Sequence, residues 1–407
     1  MNMSEILIFG ISGEVFPREH VSQLHSCSAV VVSKRFEPLL AGIDARRIPV
    51  VPVREMVDAV AEALEQGDVA VLASGDPLFF GIGRTMIERF GPEQVQVYPA
   101  LSAVQLACAR FKVPWDALTL ISLHGRNPGS LAGKILAHEK AMLFTDHRNT
   151  PDRIAETLLH ALEKYGDQQR LQKIRIRVAE NLGTSEEKLT SGCVREIAGK
   201  KMKFSPLNMM LVEQEPVERN LPVFGLREEE ITHSRGLITK DEVRAVILHC
   251  LRLPKRGVLW DVGGGSGSIS VEAARMSPGL VVYTVEKKNE RRENIRDNIV
   301  RFNLYTIQLV AGEAPGQLLD LPAPDRVFIG GSGGRLAEII HHAARRLVSG
   351  GLVVVSAVLA KTAALTPELM TAAGLEVDVR TVTVTRHGVQ GKSEKKLNSI
   401  TIITGRK

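Results

Sequence analysis

The residues best suited to chemistry lie between Val258 and Arg275. Val258 to Val262 is a short apolar run that carries the carboxylate of Asp261, a pattern that suits a buried parallel strand. Gly263, Gly265 and Gly267, with Gly264 and Ser266 between them, let the backbone turn sharply and approach a ligand with no Cβ in the way. Ser268 to Arg275 places apolar residues at helical spacing, so a helix N-terminus points into the loop. The next apolar run, Leu280 to Glu286, ends on an acid about 20 residues past the loop, where a carboxylate accepts hydrogen bonds from ribose hydroxyls. Strand, glycine loop, helix and acid-tipped second strand together describe an adenosine site at the carboxyl edge of a parallel sheet.

A dinucleotide and S-adenosylmethionine both satisfy that description. The G-x-G-x-G spacing, with Asp261 directly before it, resembles the S-adenosylmethionine version, in which the carboxylate serves an amino-acid tail and no pyrophosphate is present. The plain alternative is a glycine-rich turn without a ligand.

The elements around this stretch alternate. Upstream, strands are expected at Ile6 to Gly10, Ala29 to Ser33, Val69 to Ala73, Val95 to Pro99, Thr119 to Ser122, Lys140 to Phe144 and Ile174 to Ala179. Helical periodicity separates several of them, at Arg18 to Ser26, Arg54 to Glu65, Leu78 to Phe90 and Ser102 to Arg110. Glu213 to Pro222 is polar, proline-bearing and patternless, as linkers are. Downstream, Thr239 reads as the N-cap of a helix with acids in its first turn, and Glu290 to Asn303 is a helix dense in charge. Thr306 to Val310, Val327 to Ile329 and Gly351 to Val355 add strands, and Val379 to Thr385 with Asn398 to Thr404 bracket a polar turn as an antiparallel pair.

Composition narrows the class. The 407 residues make two domains the natural expectation, and 44% hydrophobic with 24% charged residues is ordinary for a globular protein. No apolar run reaches a membrane span and no basic region precedes the first apolar stretch, so cytoplasmic residence without membrane attachment is expected. Cys27, Cys108, Cys193 and Cys250 stand singly, as reduced, packed thiols. A net charge of +6 favours an acidic partner, either a nucleic acid or a polycarboxylate. Aromatic residues are only 4%, thin for a protein that stacks bases. No metal set is present: there is no H-E-x-x-H, and His341 and His342 are adjacent rather than at ligand spacing.

The upstream half carries a family pattern. Ala73 to Gly83, with Gly75-Asp76-Pro77 at its centre, resembles the signature of the tetrapyrrole (corrin/porphyrin) methyltransferases, and Pro99 to Ala107 resembles their second motif. His124-Gly125-Arg126, Thr145-Asp146 with Thr150-Pro151, and Glu180 to Gly183 resemble the subgroup that acts on precorrins. The resemblance implies a ligand between two α/β lobes, with Gly75, Asp76, Ser102 and Ala103 lining an S-adenosylmethionine site. The first loop, Gly10 to Glu14, departs from the family's glycine- and proline-rich form. Downstream, Gly236 to Arg244 resembles the opening segment of Rossmann-like precorrin methyltransferases, where the residue matching Thr239 touches the methyl donor; Glu313 and Ala314 stand where such sheets hold the adenine. Enzymes that methylate nucleic-acid amino groups place an acidic or Asn-Pro-Pro-aromatic motif after the fourth strand. Here Gly330, Gly331, Ser332 and Gly333 leave room for a large flat ligand, and the string resembles C15-methylating, decarboxylating precorrin enzymes.

The expectation is therefore an α/β chain: a two-lobed tetrapyrrole-methylase fold over 1–213, a linker over 214–224, and a Rossmann-like S-adenosylmethionine methyltransferase fold over 225–407. The resemblance implies methylation of a precorrin at C5 by the first and at C15 by the second, with loss of the C12 acetate carboxylate, in cobalamin biosynthesis. Such chemistry asks for alignment more than for a catalytic side chain, since a sulfonium methyl is already electrophilic. Lys240, Arg244 and Arg335 are candidates to hold substrate carboxylates, each equally readable as a surface charge. A homo-oligomer that binds a precorrin but neither nucleic acid nor membrane is expected. A nucleic-acid methyltransferase and a non-enzymatic tetrapyrrole carrier are the rival readings.

Overall fold

A computed structural model describes residues 4–123, 131–199, 203–215, 221–387 and 394–407. The chain divides by packing into two units, one of Met1–His124, Lys140–Arg153 and Arg175–Glu213, the other of Gly125–Glu139, Ile154–Ile174 and Gln214–Lys407.

The first unit holds two sheets. One is formed by β1 (Ile6–Ile11), β2 (Ala29–Val32), β3 (Arg46–Pro49), β4 (Val69–Ser74) and β5 (Val95–Tyr98), in the order β3-β2-β4-β1-β5 and parallel throughout. Its central strands are apolar on both faces, as a doubly covered parallel sheet requires. Ile6, Ile8, Val31 and Val71 pack with Met56 and Val60 of the helix Val53–Ala63, while Leu7, Phe9, Val30 and Leu72 face a second core with Leu24 and Phe36. The other sheet takes β6 (Thr119–Ser122), β7 (Lys140–Phe144), β8 (Arg175–Glu180), β9 (Lys188–Cys193) and β10 (Asn208–Glu213), in the order β6-β7-β10-β8-β9. Only β6 and β7 run parallel; β10 inserts antiparallel between β7 and β8.

The second unit is built on a seven-stranded sheet. β11 (Arg256–Val262), β12 (Gly279–Glu286), β13 (Ile307–Ala311), β14 (Arg326–Ile329) and β15 (Leu352–Ala357) are parallel, in the order β13-β12-β11-β14-β15. β16 (Glu376–Val382), a short pair β17 (Thr385–Arg386) and β18 (Lys395–Lys396), and β19 (Ile400–Arg406) complete the chain, with β19 antiparallel between β15 and β16. The expected antiparallel pair is present, displaced by two or three residues, with its turn partly outside the described residues. The strand order reverses beside β11, which places the carboxyl ends of β11 and β14 around one crevice.

Packing changes unit at Glu213, and the second unit also takes two earlier stretches of the chain. Helices Leu131–Leu136 and Gln168–Lys173, with most of Pro151–Tyr165, go with the second unit, where they cover the edge at β13. Tyr165 donates its hydroxyl to the Ile307 carbonyl (2.9 Å), Tyr305 donates to Asp167, and Gly133 lies so close to Thr306 that a Cβ would stand 2.6 Å from its amide nitrogen. Among the described residues no helix is long and apolar enough to cross a membrane. The stretch His124-Gly125-Arg126 and much of the 214–224 linker lie outside the described residues.

Two candidate active sites, one in each unit

In the second unit, β11 delivers the chain into the loop Gly263 to Gly267, whose three alternate glycines all have positive φ (+74°, +59° and +78°). The Gly263 and Gly264 amides donate to the Val285 carbonyl (2.9 and 3.1 Å), which pins the loop to β12. A Cβ on Gly263 would stand 2.5 Å from the Gly331 carbonyl oxygen, so the two glycine loops touch backbone to backbone. A Cβ on Gly264 would meet Thr284 at 2.3 Å. Gly265 differs: its Cβ would find nothing closer than 3.9 Å. Its amide donates to Glu286 Oε2 (3.0 Å), and the same carboxylate accepts from the Lys288 amide (2.8 Å), so Glu286, 3% exposed, fixes the loop.

A cavity of about 460 Å³ opens there. Gly263 to Ser266, Ile269, Gly236 to Lys240, Phe328, Gly330 and Val358 border it. Of the expected site residues, Thr239, Lys240, Gly263, Gly264, Gly265, Ser266 and Gly330 border it. Asp261, Gly267, Glu286, Glu313, Ala314, Gly331, Ser332 and Gly333 do not border it. Glu313 pairs with Lys287 (2.8 Å), which holds its carboxyl below the usual range, and Ala314 is buried.

Two expectations need correction, and a third residue takes the plainer of its two readings. Thr239 is not the N-cap: the helix is Asp241–Leu251, and Lys240 occupies the cap with no side-chain bond. Arg244 cannot reach a substrate. It is 1% exposed and spent on the Thr239 and Leu226 carbonyls, Asp241 (2.9 Å) and Glu272 (3.6 Å), because it plugs the gap between its helix and the segment leading into it. Arg335 faces solvent in a pair with Glu338 (2.7 Å) and does not border the cavity. Lys240 does, paired with Glu228 (2.5 Å).

Two contributors had no separate expectation. Arg291 borders the cavity with its guanidinium 3.8 Å from Glu286; the charge-dense helix after the acid was its only signal. Asn298, fully buried, donates to the Thr232 and Ser266 carbonyls (2.9 and 3.0 Å) and accepts from the Thr232 amide (2.8 Å), tying the glycine loop to the facing segment.

Asp261 lies beneath the loop, 1% exposed. One oxygen accepts from the Ser270 hydroxyl and the other has no hydrogen-bond partner. Burial, helped by the nearby Glu286 charge, pushes its carboxyl up to about 6. An unfolded aspartate ionises near 3.9, about two units lower. Between these values the folded chain holds a proton that the unfolded chain has released. This stabilisation is complete below about pH 4 and is lost as pH rises through 6, a swing of about 2–3 kcal/mol. Asp261→Asn should flatten that slope: urea midpoints at pH 4.5 and 8 should differ by less in the variant than in the parent chain, and equal slopes would contradict the assignment.

The first unit has its own cavity, of about 260 Å³, at the carboxyl ends of β1, β4, β7 and β8. Ile11, Ser12 and Gly13 border it, so the divergent first loop does reach the site. A Cβ on Gly13 (φ +91°) would lie 2.3 Å from the Gly183 carbonyl oxygen, which explains a glycine in each of those two loops. Gly75 and Ala103 border the cavity; Asp76 and Ser102 do not. Asp76 folds the turn by accepting from the Leu78 amide (2.8 Å). Ser102 caps the helix Ala103–Phe111 in a reciprocal pair with Gln105. Thr145 and Asn208, joined by a 2.8 Å hydrogen bond, form the polar wall, and Arg35 is a cation on the rim that the sequence reading missed. No group of three or more His, Cys, Asp or Glu side chains among the described residues is placed to hold a metal ion.

Two family models match the chain, one over each half. Residues 20–198 match the tetrapyrrole (corrin/porphyrin) methylases and residues 230–403 the precorrin methyltransferase domain. A precorrin-6Y C(5,15)-methyltransferase [decarboxylating] from a Sinorhizobium species is 35% identical over 309 residues, 75% of this chain and 71% of that one. A probable cobalt-precorrin-6B C(15)-methyltransferase (decarboxylating) from Pyrobaculum calidifontis is 37% identical over 185 residues, 44% of this chain and 94% of that one. The crystal structure of a precorrin-6Y C5,15-methyltransferase from Geobacter metallireducens GS-15 is 42% identical, with 46% of this chain and all of that chain covered and a TM-score of 0.45. With both domain types present in order and the Sinorhizobium protein matched across most of its length, the chain belongs to the decarboxylating precorrin-6Y C5,15-methyltransferase family.

Proposed function

We propose that each unit binds S-adenosylmethionine and directs one methyl transfer to precorrin-6Y, the first unit to C5 and the second to C15, and that the second unit also releases CO2 from the C12 acetate. The observation that carries this reading is the pair of glycine loops in contact at Gly263 and Gly331, with open space over Gly265 on the cavity of about 460 Å³.

The residues present fit such a donor. Gly264, Gly265 and Ser266 offer close backbone approach at a helix N-terminus, and Glu286 holds the loop with acceptor capacity to spare for ribose hydroxyls. When bound, the donor supplies an electrophilic sulfonium methyl. The chain's own part is alignment and exclusion of water, from Ile238, Ile269, Phe328 and Val358, and charge for substrate carboxylates, from Arg291 and Lys240. In the first unit Gly75, Ala103 and the Ile11 to Gly13 loop supply the cradle, with Arg35 the rim cation.

Titration of the intact chain with S-adenosylhomocysteine, a stable donor analogue, should fit two equivalents per chain. One equivalent would remove the donor site of one unit, and none would remove the reading.

A further inference from the structure

Resting on the reading that the first unit takes the tetrapyrrole, we infer that Phe80 is the surface on which the macrocycle's flat face rests. Phe80 is neither comfortable nor buried. Its φ is +56°, a region hostile to a residue with a Cβ and a large side chain, and it is 67% exposed. A phenylalanine kept only for packing would gain burial there, and this one does not.

The surrounding loop enforces the position. Asp76 accepts from the Leu78 amide, the Phe79 amide donates to the Asp76 carbonyl (3.1 Å), and the Gly83 amide donates to the Pro77 carbonyl (3.0 Å). A Cβ on Gly81 or Gly83 would come within 2.4 or 2.8 Å of the Pro77 oxygen, so the turn is as tight as backbone allows. The ring is braced by Phe79 and Phe144, with centroids 5.0 and 4.9 Å away. Phe144 itself borders the cavity, as do Leu101 and the cation Arg35. An exposed aromatic packed on Phe144, which borders a cavity with a rim cation, matches a conjugated ring system edged with carboxylates. Strain at a position fixed by its neighbours is the usual mark of a residue kept for binding.

The test uses the full-length chain with Phe80→Gly and Phe80→Asn, which tolerate positive φ, and Phe80→Tyr, which keeps the ring. Thermal midpoints, the affinity for precorrin-6Y without donor, and KM and kcat for C5 methylation are measured. The Gly and Asn variants should melt no lower than the parent chain, bind precorrin-6Y about tenfold more weakly and raise KM by a similar factor, with kcat less affected. The Tyr variant should keep parental values. Lower midpoints with unchanged affinity would make Phe80 a structural plug and overturn the inference. So would unchanged affinity with loss of a dimer in sedimentation, which would make a second copy the partner. A parent chain that does not methylate precorrin-6Y at C5 would overturn the functional reading itself, and the Phe80 inference with it.

Discussion

Placing a methyl group on Gly265 should leave the second unit folded while emptying it of donor. The added Cβ meets no atom within 3.9 Å, so Gly265→Ala carries only the penalty of positive φ, about 1–2 kcal/mol. That space is where the donor would approach the loop. Affinity there should fall by about 100-fold, roughly 3 kcal/mol, and titration of the intact chain should drop from two equivalents to one. C15 methylation and CO2 release should disappear together, while C5 methylation persists. Gly263→Ala is the contrast: its Cβ would lie 2.5–2.7 Å from three backbone atoms of Gly331, so it should destabilise the sheet edge and lower the thermal midpoint. If Gly265→Ala binds two equivalents, or melts like Gly263→Ala, the donor's place has been misread.

Removing Glu272 should be among the most destabilising single changes in the second unit. Its side chain is fully buried and accepts from the Gly225 and Leu226 amides (3.1 and 2.8 Å), with Arg244 and Arg275 beside it. Burial holds the carboxyl above its usual range against the pull of both arginines. Glu272→Ala leaves Arg244 buried beside two unsatisfied amides, a loss of about 3–5 kcal/mol. Arg244→Ala should cost a comparable amount, for it also frees the Leu226 and Thr239 carbonyls. Both variants loosen the segment that borders the cavity through Gly236 to Lys240. Urea unfolding monitored at Trp260, in the core of this unit, measures the loss. A stable Arg244→Ala chain with only a raised KM for precorrin-6Y would restore Arg244 to substrate binding.

These examples show what can be read from local sequence. The strand, the alternate glycines and the acid at Glu286 are visible because strand period, positive φ and ligand approach each constrain single residue types. The fate of Arg244 is not visible. On an amphipathic helix beside two acids it looks like a surface cation, and its burial depends on Glu272 of another helix and on carbonyls of a non-helical segment. Asp76 and Ser102, which the family pattern puts at the ligand site, make local hydrogen bonds as turn and cap. The insertions of β10 between β7 and β8 and of β19 between β15 and β16 are pairings between distant segments, which periodicity cannot order. The packing of helices before residue 174 onto β13 is non-local in the same way.

Under the proposed function, methylation at C15 and loss of the C12 carboxylate occur together in the second unit, apart from C5 methylation in the first. The most direct test incubates the intact chain, and Gly265→Ala beside it, with methyl-labelled S-adenosylmethionine and precorrin-6Y, then resolves the product by mass spectrometry while trapping CO2. The parent chain should yield a product with two labelled methyls and one CO2, and the variant a product with one labelled methyl and no CO2. Release of CO2 by the variant, or from the parent chain without C15 methylation, would contradict the account.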